Sequence, residues 1–247
     1  MRPALWVALA AVTVLAGCTG AFAGEGTTAT PERVTAAPVP EPTPGRVTLP
    51  RTADGTPDVG RIVVEHHQTV RSRSVHRRLV VDEGQSATDV WVDRDRDVVR
   101  VRQRFGRSTD DVVVVDGRRY TRTRDGEVAA QPTNNSLPAV DTASGLFVLQ
   151  RHVAGLVYDR TGSVTRDGTR LAVVRANTTN ATLSRGGFRT VVAADSRLYV
   201  DGRGVVRYLD HRERYADGSV RSLTMRVTTD VERVPLPEWV PVDPYAS

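Results

Sequence analysis

Five histidines (His66, His67, His76, His152 and His211) and one cysteine, Cys18, are the side chains from which metal or nucleophile chemistry would have to be built. No His-Glu-x-x-His run occurs, and no spacing sets two histidines on one helical face with a base between them. Adjacent His66 and His67 would point in different directions on a helix and read as a half-buried or solvated pair. Asp93, Asp95 and Asp97 imitate the opening of a calcium loop, but its sixth position is Val98 instead of glycine and its twelfth is Arg104 instead of glutamate. That stretch reads as a turn or a solvated strand edge. There is no Gly-x-Ser-x-Gly elbow and no phosphate-cradling glycine loop, and Gly202-Arg-Gly204 reads as a hairpin turn. Lysine is absent, which excludes Ser-Lys pairs and Schiff-base chemistry. These residues assign no metal, no cofactor and no catalytic group, so the expectation is a protein that is not an enzyme.

Cys18 has a different context. Met1-Arg2-Pro3 forms a short positive region, and the apolar run from Ala4 to Gly17 has the length of an export signal, too short to span a bilayer. Leu15-Ala16-Gly17-Cys18 resembles a lipobox, in which small residues fit the processing site and the thiol receives a lipid; the other reading is an ordinary signal cleaved near Ala21-Phe-Ala-Gly24. Lipidation at Cys18 would tether the chain to a membrane, each buried methylene contributing about 0.8 kcal/mol. It would leave no thiol for a disulfide or a thiolate site. A single Arg2 favours general secretion over a twin-arginine route. Asn134, Asn177 and Asn180 each open an Asn-x-Ser/Thr sequon and would be acceptor sites in a host that glycosylates exported proteins.

The net charge of +5 is carried by arginine alone. Guanidinium groups suit carboxylates and phosphates, but the arginines alternate with aspartates, as in Asp93-Arg-Asp-Arg-Asp97, instead of massing in one segment. Nucleic acid is not an expected partner of such an exported chain.

The elements that must position any site follow a Thr/Ala/Pro-rich stretch whose stiffest part is Ala36 to Gly45. The expected organisation is a signal at 1–17, a Cys18-anchored disordered linker at 18–57, and one domain at 58–244. Roughly forty linker residues at about 3 Å each reach on the order of 100 Å when stretched. Within the domain, Asp-Gly recurs at Asp116, Asp125, Asp167, Asp201 and Asp217 between Val/Thr/Tyr/Arg-rich segments, which predicts an antiparallel meander. Val99, Val101 and Phe105 alternate with Arg100, Arg102 and Arg104, and Leu223, Met225 and Val227 alternate with Thr224, Arg226 and Thr228. One face should therefore be buried and the other wet and basic. Val59, Ile62, Val63, His66 and Val70 predict a helix after Pro57-Asp58, and Leu146, Leu149 and Val153 predict a second, capped by Asp141 or Thr142 and ending at Gly155.

This order of elements, with "VDGRGVVR" at 200–207 and "PEWV" at 237–240, resembles a haloarchaeal lipoprotein family of unknown function, over most of 58–240. More distantly the layout resembles the LolA and LppX-type half-barrel lipid carriers. That resemblance implies an α+β fold, a curved antiparallel sheet packed on one or two helices, with an apolar cavity. If the sheet curls incompletely around the second helix, Leu146, Phe147, Leu149, Val153, Trp91 and Phe105 would line a pocket for a lipid-like ligand; otherwise they fill a closed core. The expected function is that of a lipid-anchored protein on the extracytoplasmic face of an archaeal cell membrane, binding or transferring an apolar or amphiphilic ligand. The alternative is a cell-surface module that docks an arginine-bearing sheet face on an acidic glycoprotein layer.

Overall fold

A computed structural model describes residues 47–122, 126–133, 137–178, 183–185 and 189–245. Along the chain run α1 (Val59–Val70), β1 (Val75–Val81), a 3-10 turn (Asp82–Gly84), β2 (Ser86–Asp93), β3 (Val98–Phe105), β4 (Ser108–Val115), β5 (Arg118–Arg122) and β6 (Val128–Pro132). Then come α2 (Leu137–Ser144), α3 (Leu146–Val153), β7 (Asp159–Arg166), β8 (Thr169–Thr178), β9 (Leu183–Arg185), β10 (Arg189–Val200), β11 (Val206–Tyr215) and β12 (Val220–Thr229).

All strand pairs are antiparallel, in the order β6-β5-β4-β3-β2-β1-β12-β11-β10-β8-β7, with β9 added to β10. Two meanders thus meet where β1 pairs with β12. The strands that follow each other in sequence across the helices, β6 and β7, form opposite edges, so the sheet is open. The chain between them must cross a whole face of the sheet, and α2 and α3 make that crossing. Register shifts in β7 and β10 mark bulges, which bend their strands. The expected fold class, an antiparallel sheet of this open type packed on helices, is the one observed.

The turn chemistry varies by site. Asp116-Gly117 and Asp167-Gly168 are two-residue hairpin loops in which both residues have positive φ (53° and 66°, 48° and 72°). At Asp201 the carboxylate instead accepts hydrogen bonds from Arg203 N (2.9 Å) and Val205 N (3.0 Å), and the positive φ passes to Gly204. The Asp93 carboxylate likewise accepts from Asp95 N and Arg96 N, so the calcium-loop mimic is a hairpin turn between β2 and β3. Asp125 lies outside the described residues.

Helix α1 forms as expected, with Asp58 accepting from Arg61 N at 2.9 Å and with Ile62, Val63, His66 and Val70 buried. The second helix differs from its expectation. Asp141 and Thr142 lie inside α2, and α3 starts after Gly145. Gly145 has φ 71°, and a Cβ there would stand 2.6 Å from Met225 Sδ. The close approach of the sheet breaks one amphipathic stretch into two helices.

The main core lies between helices and sheet and includes Ile62, Leu149, Val90, Leu198, Leu209 and Met225. Each such side chain contributes about 1.5–3 kcal/mol through burial. The core reaches upstream of the expected domain start: Val47 and Leu49 are buried in it, because an extended Val-x-Leu puts both side chains on one face. The opposite face of the sheet is only partly wet. Val234, Leu236, Trp239, Val240 and Val242 of the C-terminal segment cover Trp91, Val98, Val113, Val115 and Tyr120. Arg100 is buried beneath this cover, donating to both Asp111 carboxylate oxygens (2.9 and 2.6 Å) and to the Pro235 carbonyl.

Candidate functional site

A pocket of about 490 Å³ opens where the segment Thr52–Asp58, the first turns of α1, the last turns of α3 and the connector to β7 meet. Its wall is mostly apolar, from Val59, Val63, Val64, Leu149, Val153, Leu156 and Val157, with Thr52, Thr56, Asp58 and Gln150 as polar members. A volume of this size and an apolar wall with few polar groups fit a small apolar ligand. Val64 (52% exposed) and Val157 (76% exposed) leave apolar surface in water beside it. Tyr158 also lines the pocket, but its hydroxyl is engaged inside the protein, donating to Ser196 Oγ at 2.8 Å.

The structure distributes the sequence-derived pocket residues unevenly. Leu149 and Val153 line the pocket. Leu146 is half-buried against the main core. Phe147 is exposed on α3 and Phe105 is exposed at the β3–β4 hairpin, each away from the pocket. Trp91 lies on the far face of the sheet, stacked on His76 with ring centroids 4.5 Å apart and packed by the C-terminal segment. The pocket therefore forms between α1, α3 and their loops, not between α3 and the sheet, because Val90, Leu198, Leu209 and Met225 fill the space beneath the helices. Asn177 is exposed on β8. Cys18, Asn134 and Asn180 lie outside the described residues.

The histidines have separate fates. His66 is fully buried: its Nε2 donates to the Ser144 carbonyl at 2.7 Å, and its Nδ1 accepts from Val206 N at 3.1 Å. Burial, helped by His67 and Arg207 and opposed by the Ser144 hydrogen bond and by Asp201, pushes its pKa down to about 4. The ring is a neutral strut joining α1, the end of α2 and β11. His67 Nδ1 stands 3.1 Å from Ser144 Oγ, and His76 Nε2 is 2.8 Å from Asp89.

The remaining two histidines meet a carboxylate. His211 Nε2 lies 3.0 Å from Glu213 Oε1, and His152 Nδ1 lies 3.7 Å from the same oxygen. The two imidazole centroids are 5.1 Å apart, and the three residues are buried. Glu213 Oε2 accepts from the Tyr215 hydroxyl at 2.9 Å. Burial raises the Glu213 pKa, but the imidazoles of His152 and His211 facing it and the hydrogen bond from the Tyr215 hydroxyl outweigh it and hold the carboxyl well below its ordinary range. Helical ligand spacing does not mark this group, because its histidines come from α3 and β11. The signal available in the sequence is His211-x-Glu213, since alternate residues of a strand share a face.

Part of the arginine-bearing outer face is matched by acids. Arg226 pairs with Asp167 at 2.7 Å, Arg175 with Asp195 at 3.1 Å, and Arg100 with Asp111 at 2.6 Å. Such pairs contribute little stability when exposed, yet they offset the charge that an acidic partner would read.

No protein-family model and no curated protein matches the sequence. Among solved structures, the chain is similar to LprF from Mycobacterium bovis (11% identity, 74% of this chain and 98% of that one, TM-score 0.44). It is also similar to the Mycobacterium tuberculosis lipoprotein LppX (12% identity, 72% and 99%, TM-score 0.41). A LolA superfamily protein from Nitrosomonas europaea follows (8% identity, 72% and 94%, TM-score 0.23). Similarities at this level concern architecture alone, and none bears on the haloarchaeal lipoprotein group. Among the described residues, no helix is long and apolar enough to cross a membrane.

Proposed function

We propose that this chain is an extracytoplasmic lipoprotein, anchored through Cys18, whose pocket between α1 and α3 holds an apolar or amphiphilic ligand. The pocket carries the reading. Its wall is apolar, its volume of about 490 Å³ suits one small ligand or one hydrocarbon chain, and its polar members leave room for a headgroup to stay wet. Each methylene moved from water into it would contribute about 0.8 kcal/mol. The sequence adds the address, since the one cysteine stands where a lipobox requires it. The acid partners of Arg226 and Arg175 on the outer face reduce the charge that an acidic envelope layer would read there.

Native mass spectrometry of the protein extracted from membranes tests the pocket. Co-purifying lipid, and displacement of a fluorescent fatty acid that weakens several-fold in Val157→Arg, are expected. A ligand-free protein that binds the probe equally well with Val157→Arg and Val64→Arg would overturn the reading. The anchor is tested separately: Cys18→Ser should leave the protein unprocessed or release it into the medium, and normal processing with membrane retention would sink lipidation.

A further inference from the structure

We propose that His152, His211 and Glu213 bind one divalent transition-metal ion, with Zn2+ the best match to the donor set, and that this ion ties the last turn of α3 to β11.

The spacing of the donor atoms is that of ligands around one ion. Two donors held about 2.1 Å from a tetrahedral zinc stand roughly 3.4 Å apart. The gaps here are 3.0 Å (His211 Nε2 to Glu213 Oε1) and 3.7 Å (His152 Nδ1 to Glu213 Oε1), and all three donors lie within 4.8 Å of one another. The gaps bracket the required value, so small rotations of side chains suffice to close the set.

The framework behind the donors is rigid. His211 and Glu213 are alternate residues of β11, pinned on one side by β10, where Ser196 and Ala194 are their register partners, and on the other by β12, through Leu223 and Arg221. The Tyr215 hydroxyl holds Glu213 Oε2. That leaves Oε1 turned to the two imidazoles, the arrangement by which a hydrogen bond behind a ligand orients it for a metal. His152 supplies the third donor from α3, a helix of 8 residues.

The environment calls for a charge of the right sign. His211 is 4% exposed and Glu213 1%, and neither ring nitrogen of His211 makes a directed hydrogen bond among the described residues. A buried polar atom without a hydrogen bond costs about 1–3 kcal/mol, and coordination through Nε2 would remove that cost for one of the two. Two neutral imidazoles and one carboxylate suit zinc and neighbouring transition ions. They do not suit calcium or magnesium, which require oxygen ligands. Three protein donors leave a fourth position for water.

The test uses the purified protein, stripped with chelator and titrated with Zn2+ or Co2+ by calorimetry, visible absorption and thermal melting. The expected result is one ion per chain, a higher melting temperature, and a cobalt spectrum of tetrahedral type. Affinity should fall more than about a hundredfold in His152→Ala and Glu213→Gln, exceeding what loss of an orienting group costs, and about tenfold in Tyr215→Phe. His76→Ala, on the other face of the sheet, should change nothing. X-ray absorption on the unmodified protein should find two imidazole ligands, a readout independent of whether any variant folds. The proposal is overturned if Zn2+ neither binds nor shifts melting, or if binding survives unchanged in both His152→Ala and Glu213→Gln. In either case the cluster is held by a shared proton instead of an ion.

Discussion

His66 and His211 are both sealed on the helix side of the same sheet, and both neighbour β11 or belong to it, yet their nitrogens are treated in opposite ways. Both nitrogens of His66 are spent on backbone groups, the Ser144 carbonyl and the Val206 amide. Among the described residues neither nitrogen of His211 has a directed hydrogen bond, and one faces a carboxylate 3.0 Å away. A buried imidazole whose two sites are filled by the backbone has one stable protonation state and can only be structural. A buried imidazole that faces a carboxylate and a second imidazole still has a lone pair to give. The difference separates a strut from a site, though the two residues are equally inaccessible.

The largest test of this contrast is His66→Ala, which orphans a buried carbonyl and a buried amide and opens a cavity. It should cost about 4 kcal/mol, and the melting temperature should drop on the order of 10 °C with or without zinc. A neutral outcome would mean that the strut carries no load.

Acid provides the next test. The folded pKa of His66, about 4, lies below its unfolded value of 6.5. Its contribution is therefore complete above pH 6.5, and it is lost as pH falls from there towards 4, where the unfolded chain binds the extra proton. Unfolding free energy should decline by up to roughly 3 kcal/mol across that window. The decline should shrink in His66→Gln, and an unchanged profile in that variant would assign the acid sensitivity elsewhere.

Gly145→Ala should cost about 2–3 kcal/mol, since the residue has a positive φ and the added Cβ meets Met225 Sδ at 2.6 Å. It should also displace the neighbouring Ser144 carbonyl and so loosen the His66 strut, which hydrogen exchange at the Val206 amide would report.

The smallest effect on stability belongs to His211→Ala in chelator-treated protein, about 2 kcal/mol from the cavity alone, because no directed hydrogen bond is broken. Its zinc-dependent rise in melting temperature should vanish. If the metal-free cost equals that of His66→Ala, the contrast between the two histidines fails.

Much of the scaffold is legible in particular residues. Asp58 announces the start of α1, and the apolar residues at helical spacing behind it are the ones buried. Asp116-Gly117 and Asp167-Gly168 specify tight hairpins through their positive φ angles. Alternation in β3 and β12 assigns their faces correctly, although Phe105, at the far end of β3, extends into solvent and Arg100 is covered. Of the residues expected to line a pocket, Leu149 and Val153 face the cavity between α1 and α3, while Trp91 and Phe105 sit elsewhere because nothing in their own neighbourhoods says which part of the helix layer they would meet.

What the sequence by itself determined is local: the tight Asp-Gly turns, the start of α1 and the two faces of strands such as β3 and β12. These follow from sterics and periodicities that act within a few residues. Only the tertiary structure decided that His152 on α3 would stand beside His211 and Glu213, that the C-terminal segment would cover a basic face, and that the cavity would open between two helices. The reason is the crossover. Because β6 and β7 take opposite edges of one open sheet, the chain between them must lay α2 and α3 across it, and strand pairing far along the chain sets which side chains lie beneath.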